Sequence, residues 1–338
     1  MTIPPQFLQR YCPLDNGLLR PHAAKIPASI SDIGSFKALP LEIIHLIFNL
    51  LDLRCLTDFR AVSWRARTLV DSVPEYNALV KHSPDALRAL ISTRIAVYFT
   101  AQDIFEALCT QFCAGCGQFG PFLDMFTAQR YCINCVGDSD DLLSMTASSA
   151  RKEFGLNLKT MRTIPTLLSI PGEYAESSKE YRRRISLVRM LSASVAQSQI
   201  HKPNTLRRRS SPPVSISTQP PQPPSPPISH RLLQKFVGHK QDPYRFMPML
   251  RVPYLDRRTG SLDWGVSCQA CRLAPRDERR GYYDWNTVYS TPGYYEHFQK
   301  CEVSQRGRLE IPRHIKATAQ EQRVFDARFL GFYDFFKF

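Results

Sequence analysis

Leu39-Pro40-Leu41-Glu42-Ile43-Ile44-His45-Leu46-Ile47-Phe48-Asn49-Leu50-Leu51-Asp52 is the stretch on which the fold turns. Proline at the first helical position gives up only an N–H that would be unpaired there, and Glu42 in the first turn suits the positive end of the helix dipole. The polar residues Glu42, His45 and Asn49 fall at i, i+3 and i+7 and make one narrow stripe. The apolar residues fill two further stripes, Ile43, Ile47 and Leu50 on one and Ile44, Phe48 and Leu51 on the other. A helix that is apolar over most of its circumference must be covered over most of it, and two short neighbouring helices cover only one stripe. The pattern therefore leaves two readings, a second polypeptide on the remaining stripe or a private helical core, and periodicity alone favours the private core.

The neighbours are readable. Asp52 can cap a helix over Leu53–Phe59, and Ser63 can cap a third through Trp64, Arg67, Leu69 and Val70. Helical patterning continues to about Leu108, interrupted at Pro74 and Pro84, which stop or start helices. The order Leu39-Pro40, Glu42-Ile43, Ile47, Leu50-Leu51, Asp52-Leu53, Leu56, Phe59-Arg60, Val62-Ser63, Arg65 and Leu69-Val70 resembles the F-box motif. The resemblance implies a small helical module whose apolar surface binds a Skp-family linker subunit of a cullin-based ubiquitin ligase. Carried over residue by residue, it implies Leu39, Pro40, Ile43, Ile47 and Leu50 as the Skp-binding face. The family often carries a Trp late in the third helix, where this chain has Ala66, with Trp64 earlier; local repacking is expected there.

The chain has ten cysteines. Its N-terminus lacks a basic region followed by an apolar one, so a cytosolic or nuclear, reducing setting is expected, where paired cysteines read as metal ligands. Cys113, Cys116, Cys132 and Cys135 form C-x2-C-x15-C-x2-C, the spacing of a closed tetrahedral zinc site, with Gly117 easing the first turn. A RING domain would need a second interleaved set of four ligands, and no histidine lies between Cys116 and Cys132. Cys109 stands outside the pairs and is expected in the core. Pro74-Glu75-Tyr76, Ala86-Leu87-Arg88-Ala89-Leu90, Phe119-Gly120-Pro121-Phe122-Leu123 and residues 165–174 resemble a family of F-box proteins common in filamentous fungi, which carry zinc-binding cysteine clusters.

Further on, Cys268-Gln269-Ala270-Cys271 is followed by His297-x3-Cys301, a C-x2-C and an H-x3-C whose last pair shares a helix face. These four are the candidate ligands of a second structural zinc. Gly293-Tyr294-Tyr295-Glu296 lacks the basic and amide side chains of a DNA-reading helix. Tyr282, Tyr283, Trp285, Tyr294, Tyr295 and Phe298 are expected in the core, and the phenylalanine-rich tail from Phe325 is expected to dock on this unit or on a partner.

These signals predict a mainly α chain with small zinc-stabilised α+β elements. The expected divisions are a flexible leader at 1–36, an F-box at 37–73, a helical region with the four-cysteine zinc cluster at 74–195, a disordered Pro/Ser/Arg-rich linker at 196–239 separating two ordered parts, and a C-terminal unit at 240–338. Within the 74–195 region, Thr146–Phe154 reads as a capped helix ending near Gly155, and another helix is expected around 178–192. The formal charge of +14 is ordinary material for acidic partners, but Arg182-Arg183-Arg184 and Arg207-Arg208-Arg209 are expected to be solvated. Apolar runs fall far short of a membrane span. No Gly-rich phosphate loop, nucleophile–base set or open metal site is found, so an enzyme is not expected. The function expected is a non-catalytic adaptor holding a protein client for a ubiquitin ligase. A zinc-dependent nucleic-acid or chromatin-associated protein is the alternative, and an F-box scaffold acting without a cullin is a third.

Overall fold

A computed structural model describes residues 34–174, 180–200, 242–268, 271 and 287–301. After a 3₁₀ turn at Gly34–Ala38 come three short helices, α1 (Leu41–Leu50), α2 (Leu53–Arg60) and α3 (Trp64–Asp71). The expected caps are in place: Asp52 accepts from the Cys55 amide and Ser63 from the Ala66 amide. Pro40 is the residue just before α1 rather than its first helical one. Helices α4 (Pro74–His82), α5 (Pro84–Ser92) and α6 (Ala101–Leu108) continue the layer, each of the first two opened by its proline.

The rest is built from short strands and helices. Strands β1 (Phe122–Asp124) and β2 (Arg130–Tyr131) lead into α7 (Ile133–Asp138). Strand β3 (Ser144–Thr146) runs into α8 (Ala147–Phe154), which Thr146 caps through the Ser149 amide and Gly155 ends in the left-handed conformation. The short α9 (Leu158–Met161), β4 (Leu167–Leu168), β5 (Ser186–Arg189) and α10 (Met190–Ile200) follow. Then come α11 (Pro243–Phe246), β6 (Met249–Arg251), β7 (Tyr254–Leu255), β8 (Leu262–Asp263), β9 (Val266–Ser267), β10 (Val288–Tyr289) and α12 (Thr291–Lys300). The described residues are thus about half helical, with several small sheets.

Two expectations change here. Around 178–192 the chain forms a strand before a helix, because Leu187 and Val188 pair with residues from distant segments: Val188 lies opposite Met145 and Leu187 opposite Leu167. Helix α10 runs past residue 196 to Ile200, with Ala193 and Ala196 buried in one cluster with Phe154 and Met145. Of the arginine run, Arg182 and Arg183 are exposed, but Arg184 turns inward and donates to the carbonyls of Ser169 (2.9 Å), Leu168 (3.2 Å) and Ser92.

The larger change concerns organisation. Strand β6 pairs antiparallel with β1, Leu250 opposite Leu123, and Phe246, Met249, Leu250, Val252 and Leu255 lie in one core with Leu56, Leu90 and Ile104. The two ends of the proline-rich stretch therefore meet in one folded body instead of belonging to separate ordered parts. Arg130 fixes this junction. It is fully buried and donates to the carbonyls of Gly120 (2.5 Å), Ala107 (3.3 Å), Val252 (2.9 Å) and Pro253 (2.8 Å). Burial pulls its pKa down to about 9, so it remains a cation at neutral pH among four carbonyl dipoles. Arg189 pairs with the buried carboxylate of Asp124 close by. The expectations for residues 1–33, for residues 201–239 of the linker and for the tail from Phe325 fall outside the described residues.

Candidate functional site

The two apolar stripes of α1 have different fates. Ile44 and Phe48 are buried, and Leu51 packs against the same core, where the Phe48 ring meets Phe59 at 5.2 Å and Phe59 meets Phe36 at 5.5 Å. On the other stripe Ile43 is 42% and Leu50 is 83% exposed, while Ile47 sits half-buried at the boundary. Leu39 and Pro40, at the head of the helix, are also exposed.

One residue of the polar stripe also bonds within the module. Ser72 donates its hydroxyl to the Leu69 carbonyl (2.6 Å), which leaves its oxygen to accept from His45 Nε2 at 2.8 Å. This bond lies between the His45 side of α1 and the end of α3, and the i+7 partners Ile43 and Leu50 face out on the other side. Leu46, 62% exposed, lies between them at i+3 from Ile43 and extends the open stripe. Leu41, Val62 and Trp64 are exposed as well, with Arg67 stacked over the Trp64 indole. Sequence reasoning omitted Leu46 and Leu41 from the open face, although the i, i+3, i+7 spacing of Ile43, Leu46 and Leu50 was there to be read. Ala66 fills the place expected for a tryptophan and is fully buried.

Among the described residues, two groups of metal-ligating side chains come together, each with its ligand atoms within 4.8 Å of one another. The first is Cys113, Cys116, Cys132 and Cys135. Its first pair is shaped by a tight turn in which the Cys113 amide donates to the Gln118 carbonyl (2.6 Å) and the Gly117 amide to the Cys113 carbonyl (2.9 Å). Gly117 takes a φ of +74°, which a side chain would resist. The Ala114 amide donates to the Arg130 carbonyl (2.8 Å), drawing the turn toward the second pair. Cys132 caps α7, its sulfur accepting from the Cys135 amide at 3.4 Å.

Cys116 and Cys132 sulfurs lie 3.6 Å apart, close to the edge of about 3.8 Å that a tetrahedron of sulfurs has at roughly 2.3 Å from a metal. Packing four thiols together drives their acidities apart. A hydrogen bond from the Cys132 thiol holds Cys113 down to about 4, the same bond pushes Cys132 up, and burial pushes Cys135 up to about 12. A divalent cation relieves that competition by taking the protons' place.

The second group is Cys268, Cys271, His297 and Cys301. Cys268 follows β9, His297 is on the last turn of α12 and Cys301 closes that helix. The Cys301 sulfur lies 3.8 Å from Cys268 and 3.6 Å from Cys271, and Cys271 lies 3.5 Å from His297 Nε2. The shorter sulfur–nitrogen edge is what a metal with a shorter nitrogen bond requires. Tyr289 stacks on the His297 ring at 4.4 Å, fixing its plane. Both groups can hold metal ions, and each offers four ligands. Cys109 lies apart from them, half-buried against the core. Of the aromatics expected in the core here, Tyr294 is buried, Tyr295 and Phe298 are exposed, and Tyr282, Tyr283 and Trp285 fall outside the described residues.

An F-box domain model matches residues 36–77, the segment that carries α1, α2 and α3 and enters α4. No curated protein and no solved structure matches the chain.

Proposed function

We propose, taking the F-box domain at residues 36–77 as the premise, that this chain is a non-catalytic adaptor of an SCF-type ubiquitin ligase. Domains of this family bind Skp-family linker proteins. Here the docking face consists of Leu39, Pro40, Ile43 and Leu50, with Ile47 at its buried edge and Leu46 added between. The observation that carries the reading is the exposure of Ile43 and Leu50 on a helix whose opposite stripe is closed by its own chain. Fully burying each of these side chains is worth roughly 1.5–3 kcal/mol, so a partner covering the stripe gains several kcal/mol without rebuilding the fold.

Residues beyond the F-box present a client. The two four-ligand groups hold zinc, which suits thiolate and imidazole in a closed tetrahedron with no position left for water. The resemblance to zinc-bearing fungal F-box proteins supports the same assignment.

The nucleic-acid reading draws on the net charge, and the described residues give it little. They carry 22 Lys and Arg against 19 Asp and Glu, so most of the net charge of +14 lies elsewhere in the chain. Of those arginines, Arg60, Arg130, Arg189, Arg245 and Arg251 are buried.

The test is reconstitution of the full chain with a recombinant Skp-family subunit, followed by size-exclusion chromatography. A one-to-one complex that survives raised salt is the expected result. Absence of a complex, together with retention on unselected DNA that falls steeply with salt, would replace the adaptor reading with the nucleic-acid one.

A further inference from the structure

We propose that the two metal centres are energetically linked, so that filling either one tightens the grip of the other on its own ion. This rests on reading both groups as metal sites. The link is a continuous set of contacts between the loop of the first centre and the strands that frame the second.

That loop, between Cys116 and Cys132, contains Phe119, β1 and Arg130. From it β1 pairs with β6 through Phe122 opposite Arg251, and Arg130 holds the carbonyls of Val252 and Pro253. Arg251 then donates to the Trp264 carbonyl at 2.8 Å. The neighbouring Asp263 carboxylate accepts from the amide of Gly265 (2.8 Å) and from the amide (2.8 Å) and hydroxyl (3.0 Å) of Thr291, the first residue of α12. Strand β9, which ends one residue before Cys268, pairs with β10, Val266 opposite Tyr289, and Tyr289 stacks on His297.

The two segments pack tightly at Gly265. Its φ is +73°, and a Cβ placed there would fall 2.6 Å from Phe119 Cε1 and 2.4 Å from Val288 Cγ1. The ring of Phe119 is therefore packed directly on the backbone that leads to Cys268. Phe112 pairs with Phe119 across the first turn, next to Cys113. The seam between the centres is made of residues whose positions each metal fixes from its own side. Ordering of one side by its ion removes part of the ordering cost that the other ion would meet, which is the physical content of positive coupling.

Coupling between sites is typically about 5- to 150-fold in affinity, and it must be the same in both directions. The experiment uses the full chain stripped of metal and titrated with cobalt(II), whose spectra separate a four-thiolate site from a three-thiolate, one-imidazole site. The double variant Cys113→Ser/Cys116→Ser reports the second centre alone, and Cys268→Ser/Cys271→Ser reports the first alone. The expected result is that each surviving centre binds cobalt at least about fivefold more weakly than it does in the intact chain, by equal factors. The variant Phe119→Ala keeps all eight ligands, and there both centres fill with the coupling factor reduced toward one. Two filled centres whose affinities ignore each other, within about twofold, overturn the coupling while leaving the metal reading intact. A wild-type chain that takes up no metal overturns both.

Discussion

Arg130 donates to the Val252 carbonyl at 2.9 Å across 122 positions of sequence, and this bond joins the first metal loop to the segment that begins at Asp242. A buried guanidinium serves four carbonyls at once because its donors are spread over a rigid fork, and a smaller donor reaches only some of them.

Arg130→Leu leaves the carbonyls of Gly120, Ala107, Val252 and Pro253 without this donor. At about 1–3 kcal/mol for each buried acceptor left unsatisfied, partly offset by relaxation, the loss should be on the order of 4 kcal/mol. Arg130→Lys should recover part of it. Urea denaturation followed by circular dichroism measures the difference; equal midpoints for wild type and Arg130→Leu would show that the junction contributes nothing.

Gly265→Ala should cost about 2–5 kcal/mol locally, combining the left-handed backbone with the clash against Val288 and Phe119. Its effect should fall on the second centre first. Elemental analysis after mild dialysis should find about one zinc per chain in the variant and about two in the wild type, with the zinc kept by Cys113, Cys116, Cys132 and Cys135.

Metal removal should unfold the region around both centres, since structural zinc contributes roughly 10–16 kcal/mol in small peptide sites. The sign of the pH effect follows from the thiols. Burial pushes Cys135 up to about 12, so its proton must leave when metal binds, and acid favours the metal-free state. Zinc retention in a chelator competition should therefore fall as the solution is made more acidic than neutral. Retention that rises toward acid would contradict thiolate ligation.

Much of this was legible in the sequence because it is local. Asp52, Ser63 and Thr146 cap the helices that their neighbours predict, and C-x2-C pairs state their own geometry. The non-local parts were hidden. Nothing near Leu250 announces that it pairs with Leu123, since three-residue strands are too short to show alternation and a proline-rich stretch reads the same whether it separates domains or leaves and re-enters one body. Arg184 looks like its solvated neighbours until Ser92, Leu168 and Ser169 are brought to it by the fold. For α1 the sequence showed two apolar stripes but not which would close; the packing of Ile44 and Phe48 on distant core residues does that, and His45 and Ser72, 27 positions apart, bond on the same side.

The central claim is that the stripe through Ile43 and Leu50 is a docking face. Calorimetric titration of a Skp-family subunit into the full chain, compared with Ile43→Glu/Leu50→Glu, tests it most directly. Both side chains are exposed, so the thermal transition of the variant should match the wild type. Its dissociation constant should rise at least about 100-fold, the equivalent of roughly 3 kcal/mol. An unchanged dissociation constant in a folded variant would contradict the account.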